Sequence, residues 1–263
     1  ATGVTTTVRN YTISNAILDV DTALLFHGQA TIPETAYFAS GTERRNPARA
    51  LQIFASEDLI IGFNRAHNRY QHWLTQCLPA IDWSLRQERP NGARLVLPPL
   101  AGWQEDILRI LCYGDVPRVT VQAGAIYHLP KIEYSEFLNG TTAFRICLSA
   151  RDTSRRILDR LPRAATPHRL LYVPFPTPFY GSIANEIEVV DLLRHSGVFV
   201  VEPSLPVAER INLFREADVV IGPVGDGLTD IMFCRPGTLL WEFMPQHYQN
   251  ASFNRLAQAA GVD

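Results

Sequence analysis

Lysine is almost missing: Lys131 is the only one in 263 residues, although lysine and arginine together number 24. Basic charge therefore rests on arginine, a bias that fits a GC-rich bacterial genome and points to a bacterial protein. The sequons at Asn10, Asn139 and Asn250 leave a secreted eukaryotic origin open. A basic excess is also missing. The net charge is −2, whereas long contacts with a phosphate backbone need a cationic surface, so nucleic acid is not expected as a partner. No apolar run approaches the roughly 18 residues of a membrane span, and stretches such as 197–201 and 219–221 read as buried strands. No charged-then-apolar leader opens the sequence, so a targeting segment is expected to be absent or trimmed. The expected location is cytoplasmic, with peripheral membrane attachment left open. Paired cysteines are missing too. Cys77, Cys112, Cys147 and Cys234 lie far apart without a CxxC pair, which argues against a zinc site or a disulfide framework and for reduced core residues.

With 46% hydrophobic and 19% charged residues the composition is globular, and the length suits one large domain or two small ones. Residues 1 to about 55 are rich in Thr, Val and Ile with short alternations, which predicts hairpins. Strands at 59–63, 94–98 and 119–122 then alternate with helices at 70–86 and 105–112, the signature of a parallel α/β sheet. A helix over 144–161 precedes the breaker-rich stretch 162–167, read as a linker. A second alternation follows: strands at 169–173, 198–201, 219–221 and 238–243, and helices at 185–194, 208–216, 228–234 and 250–260. The expected fold is α/β in two halves with a cleft between them, residues 1–161 and 168–263.

The most informative stretch is Ala217-Asp-Val-Val-Ile-Gly-Pro-Val-Gly-Asp-Gly-Leu-Thr-Asp, a strand running into a glycine-rich turn and a helix. Gly222, Gly225 and Gly227 permit tight turning and close approach, and free N–H groups at a helix start favour phosphate. The alternative is a plain strand-to-helix turn that needs small residues. The spacing is not GxGxxG, which disfavours an NAD-dependent oxidoreductase. Glu242 ends the next strand at the carboxyl edge of the sheet, where it would accept hydrogen bonds from ribose or stand as a solvated charge. Asn185 and Glu186 open a helix after a Pro- and aromatic-rich loop at the same edge and are ligand candidates. Capping by Asn185, with Glu186 and Glu188 complementing the helix dipole, is the plainer reading.

In the first half, His67 and His72 follow a strand and stand near a carboxyl edge, where a histidine can take a proton from a hydroxyl nucleophile. Their spacing of five does not suit joint metal ligation on one helix face, and a satisfied structural histidine is the competing reading. Asp19-Val-Asp21 has the look of a metal-binding pair but lies in the hairpin region.

Taken in order, these segments resemble glycosyltransferase family 61, annotated in bacteria among capsular polysaccharide biosynthesis proteins. The residues that carry the resemblance are His67-Asn-Arg-Tyr-Gln-His-Trp-Leu, Leu78-Pro79, Asn185-Glu-Ile-Glu, Leu213-Phe-Arg-Glu-Ala-Asp-Val-Val-Ile-Gly, Gly225, Gly227-Leu-Thr, Phe233, Pro236-Gly-Thr and Glu242. The resemblance implies a GT-B-like pair of Rossmann-like domains, an acceptor-side domain at 1–161 with leading hairpins and a nucleotide-sugar-binding domain at 168–263. It further implies inverting, metal-independent transfer from a nucleotide-sugar to a saccharide acceptor, with no cofactor. His72 or His67 would be the catalytic base, and Asn185, Glu186, Gly222, Gly225, Asp226, Gly227, Thr229 and Glu242 would bind the donor. Where the family reads Gly-x-His-Gly-Ala-Gly-Leu-Thr-Asn, this chain has Val224, Asp226 and Asp230 in place of His, Ala and Asn, and Gln76 stands where an aspartate is usual. The arginines usual before Asn-Glu are absent, while an Arg-rich stretch occurs earlier, at 149–157. These departures leave open a catalytically inactive binding or scaffold protein.

Overall fold

The computed structural model describes residues 7–37, 51–53, 58–87, 92–140, 148–163, 168–175, 183–246 and 251–263. Val4–Gln104 with Tyr113–Ala150 forms one compact unit, and Glu105–Cys112 with Arg151–Asp263 forms another.

The expected hairpins begin the first unit. Strand β1 (Asn10–Asp19) pairs antiparallel with β2 (Leu24–His27), and β2 with β3 (Ala30–Thr31). Asp19 and Asp21 build turns here: Asp19 Oδ1 accepts from the N–H groups of Asp21 and Thr22, and Asp21 Oδ1 from that of Gly124. The remaining strands are β4 (Leu51–Ile53), β5 (Leu59–Ile61), β6 (Arg94–Leu97), β7 (Arg118–Thr120) and β8 (Ile126–Ser135). The sheet runs β3-β2-β1-β8-β5-β6-β7, with β4 also on β8; β5, β6 and β7 are parallel to one another. Leu59, Ile60, Ile61, Leu95, Val96 and Leu97 are all buried, the continuous apolar texture of strands covered on both faces.

Strand β8, central and ten residues long, has no counterpart in the sequence reading. Pro130 in its middle argues against a central strand because it cannot donate to a ladder. Each ladder steps around it. β1 pairs Ser14 with Lys131 and Ala16 with Leu129, leaving Asn15 opposite the proline at a left-handed φ of 53°. On the other side β4 takes 126–128 and β5 takes 132–133. The strand thus hosts three partners without asking Pro130 for a hydrogen bond.

Helix α1 (Tyr70–His72) passes through a π-helical turn, Trp73–Cys77, into α2 (Leu78–Leu85). Pro79 has no N–H for the carbonyl of Thr75, and its ring crowds that carbonyl, so the ladder widens just before it. All five residues of the wide turn are buried. Helix α3 (Gly102–Ile110) links β6 to β7.

The second unit matches the expected alternation closely. Helices α4 (Leu148–Arg160), α5 (Glu186–His195), α6 (Val207–Glu216) and α7 (Ser252–Ala260) accompany strands β9 (Leu170–Tyr172), β10 (Phe199–Val200), β11 (Val219–Pro223) and β12 (Leu239–Phe243). All four strands are parallel in the order β10-β9-β11-β12. The order reverses at β9, and ligands of open α/β sheets bind at the carboxyl edge beside such a reversal. Tyr172, Val198 and Val200 pack under Val189, Val190 and Leu193 of α5. The helix after the glycine-rich turn is 3₁₀, Asp226–Phe233, rather than α. Residues 164–167 of the expected linker, 176–182 of the Pro- and aromatic-rich loop and Cys147 lie outside the described residues. Cys77 and Cys234 are buried core residues, as their spacing predicts, but Cys112 is exposed, because the chain reverses out of α3 there at a φ of 63°.

Candidate functional site

In the first unit, β5 ends at Ile61 and the chain runs on through Phe63 to a buried Asn64, which organises the turn that follows. Asn64 Oδ1 accepts from the N–H of Ala66 at 3.0 Å, the side-chain turn typical of asparagine after a strand. Its Nδ2 donates to Gln76 Oε1 at 2.7 Å, tying the turn to the π-helical segment. Its backbone carbonyl accepts from the N–H of His67 at 3.1 Å and lies 2.8 Å from His67 Nδ1. A carbonyl only accepts, so Nδ1 carries the proton and Nε2 keeps its lone pair. Burial lowers the His67 pKa from 6.5, with the Asn64 carbonyl opposing, so the ring is a neutral base at pH 7. The Phe63 ring meets its edge in a T-shaped contact, and Gln104 Nε2 holds the His67 carbonyl at 2.9 Å.

His72 is set differently. Its Nδ1 lies 2.8 Å from Tyr37 Oη, and burial pushes the tyrosine up to about 12. The phenol therefore keeps its proton and donates it to Nδ1, which directs the His72 proton to Nε2. Gln76, standing where the family has an acid, is fully buried and serves as the acceptor for Asn64. Asn64 and Gln104 are positioning residues that the sequence reading passed over, and Gln76 is one it named only as a departure from the family. The available signal was an asparagine directly after an apolar strand and three residues ahead of a histidine.

In the second unit, Gly222, one residue before the end of β11, stands beside Glu242 of β12. The three glycines of the turn are required by packing. A Cβ on Gly222 would stand 2.7 Å from the carbonyl oxygen of Val173, one on Gly225 2.5 Å from the Phe175 ring, and one on Gly227 2.9 Å from Val173 Cγ1. The segment leaving β9 lies directly on the turn. Glu186 fixes that segment: its Oε1 accepts from the Phe175 N–H at 3.0 Å and from the Tyr172 hydroxyl at 2.9 Å. Asn185 makes no capping bond; its Nδ2 reaches Glu188 Oε2 at 3.5 Å instead. The capping expectation fails because Asn185 has a φ of −112° and ψ of 36°, away from the extended geometry a cap needs.

Within the turn, the Val224 N–H donates to the Phe243 carbonyl and that of Leu228 to the Gly225 carbonyl. Thr229 is fully buried, and its Oγ1 has no partner among the described residues. The groups offered at the helix start are the N–H donors of Gly225, Asp226 and Gly227, which a helical first turn leaves unpaired. Asp226 is half-buried beside them. Asp230, where the family has Asn, is fully buried and ion-paired with Arg210 Nε at 2.7 Å, so Arg210 compensates that charge. Glu242 is half-buried, its Oε1 has no partner among the described residues, and burial raises its carboxyl from 4.5 to about 7.

The family model for glycosyltransferase 61 matches residues 70–241, well over half of the chain. The chain belongs to glycosyltransferase family 61. This family 61 protein matches no curated protein. Among solved structures it is similar to the dodecameric iron-containing glycosyltransferase TibC from enterotoxigenic E. coli H10407, at 17% identity and a TM-score of 0.39, over 87% of this chain and 72% of that one. A TibC structure described as a heptosyltransferase in complex with ADP-D-beta-D-heptose gives 14% identity and a TM-score of 0.35, over 89% and 73%. These scores are too low to transfer a mechanism. Among the described residues of this protein, no three His, Cys, Asp or Glu side chains are grouped to hold a metal ion.

Proposed function

We propose that this family 61 glycosyltransferase moves a sugar from a nucleotide-sugar donor to a saccharide acceptor with inversion, in polysaccharide biosynthesis. The observation that carries the reading is the fixed proton of His67. Its Nδ1–H is held by Asn64 and its ring is kept neutral by burial, which leaves Nε2 as a general base for an acceptor hydroxyl. The N-terminal region then supplies the base and the acceptor side, and residues 168–263 the donor side. The N–H groups of Gly225, Asp226 and Gly227 hydrogen-bond the leaving diphosphate, where negative charge develops. Glu242 accepts from the ribose, and Asn185 lies at the same carboxyl edge. Glu186 shapes that edge through Phe175. His72, with its proton directed to Nε2, serves as a donor to the acceptor sugar.

The test is a transfer and hydrolysis assay with UDP-, GDP-, CMP-, dTDP- and ADP-linked sugars, the last because a TibC structure holds an ADP-heptose. Inverted anomeric configuration by proton NMR, lost in His67→Ala and retained in Cys112→Ser, is the expected result. No turnover with any donor, in protein that still binds nucleotide saturably, supports the second reading of a catalytically silent binding or scaffold member. Asp226, a carboxylate among the donor N–H groups, favours that second reading through repulsion of a diphosphate.

A further inference from the structure

The second unit contains a cavity of about 410 Å³ that takes no part in the proposed transfer. Small-molecule sites run from roughly 300 to 1,000 Å³, so the space is large enough for a ligand. It lies at the amino ends of the strands: Glu216 and Arg235 line it and precede β11 and β12, whereas Gly222 and Glu242 stand at their carboxyl ends. Five arginines line it, Arg151, Arg155, Arg163, Arg215 and Arg235, against two carboxylates, Asp159 and Glu216. Phe233 and Met232 give it an apolar side.

Three of the arginines are committed to the wall. Arg215 donates to the carbonyls of Leu158 and Leu161 at 3.0 and 2.9 Å, covering acceptors at the end of α4 that would repel an anion. Arg163 pairs with Glu216 at 3.4 Å, and Arg235 with Asp218. Arg151 and Arg155 remain. They stand one turn apart on α4, have no ion-pair partner among the described residues, and the Nε of Arg151 is buried without a hydrogen-bond acceptor. Two like charges at i and i+4 repel, and a buried guanidinium nitrogen without an acceptor carries a desolvation cost. A doubly charged oxyanion relieves both, because the planar fork of arginine fits phosphate oxygens in pairs. This use also accounts for the Arg-rich stretch at 149–157, whose spacing does not suit the donor motif.

We propose that this cavity binds a phosphate- or pyrophosphate-bearing ligand at a site separate from the donor nucleotide. The phosphate comes either from a soluble sugar phosphate or from a lipid headgroup. The full chain is titrated calorimetrically at constant ionic strength with inorganic pyrophosphate and with glucose 1-phosphate. In parallel it is sedimented with phosphatidylcholine vesicles with and without phosphatidic acid. The variants are Arg151→Gln with Arg155→Gln, and Arg155→Glu, an exposed position that leaves folding intact. Saturable binding that weakens about 10-fold or more in both variants and is unchanged in Cys112→Ser, an exposed position outside the cavity lining, is expected, from the loss of charge-assisted hydrogen bonds. Binding of the soluble phosphates identifies the first source, and co-sedimentation dependent on phosphatidic acid the second. If neither probe binds wild type, or binding is as strong in both arginine variants as in wild type, the proposal is overturned.

Discussion

A proton on one nitrogen decides what His67 can do. The Asn64 carbonyl holds that proton on Nδ1, and burial keeps the ring from charging, so the base persists to lower pH than an ordinary histidine allows. The acid limb of the kcat/KM profile is therefore expected below pH 6.5, the base being lost only as pH falls through the lowered pKa. His67→Ala is expected to lower kcat by about 10²–10⁴-fold and to abolish that limb. A profile whose acid limb survives the substitution assigns the base elsewhere. Glu242 titrates in the opposite sense. Its folded pKa, about 7, lies above the ordinary 4.5, so the protonated form contributes stability fully below about pH 4.5, and the contribution is lost as pH rises through about 7. Glu242→Gln keeps the neutral form throughout. Its Tm should match wild type near pH 4 and exceed it at pH 8, and equal melting temperatures at pH 8 would place the carboxylate in water.

At the scale of elements, the glycine-rich turn gives a different lesson from the one its composition suggests. Gly225 has a φ of 170° and ψ of 168°, extended backbone open to any residue, so its requirement comes from the Phe175 ring over it. Gly225→Ala is expected to destabilise by about 1–3 kcal/mol through overpacking. In a Phe175→Ala background the same change should cost much less, and a urea-melt double-mutant cycle measures the coupling. Additive effects would show that the ring does not set the requirement. The order of strand, glycine turn and helix was legible, and so was the position of Glu242 near the end of the next strand. The reason for the glycines was not, since Val173 and Phe175 lie some fifty residues earlier in sequence and no local pattern announces their approach. The same holds for His67: its identity was visible, whereas its tautomer depends on Asn64 and its anchoring on Gln104, residues that look like ordinary polar loop members. The π-helical turn before Pro79 hid equally well, because its apolar spacing reads as a regular helix.

For the whole molecule, the second unit was readable nearly strand by strand. Its βα steps are local, and each strand is an apolar run bounded by turn residues. The first unit was readable except at its centre. β8 contains Pro130 and Lys131, alternates poorly, and earns its place only by pairing with β1 on one side and with β4 and β5 on the other. That arrangement sets an order of assembly. Asn10 pairs with Ser135, so at about 5–20 residues per second the outer edge of β1 waits roughly 6–25 s on the ribosome for its partner. In the interval it presents unpaired N–H and C=O groups, the template for association with another chain. Refolding in vitro carries the same handicap, since distant contacts must close large loops before any pairing is gained. Pulsed hydrogen exchange during refolding should therefore protect amides of β9 and β11 before those of β1 and β8. Simultaneous protection would mean that the two units fold as one. Nascent chains arrested before residue 126 should aggregate more readily than chains released after residue 140, because only the longer ones contain the strand that closes the sheet.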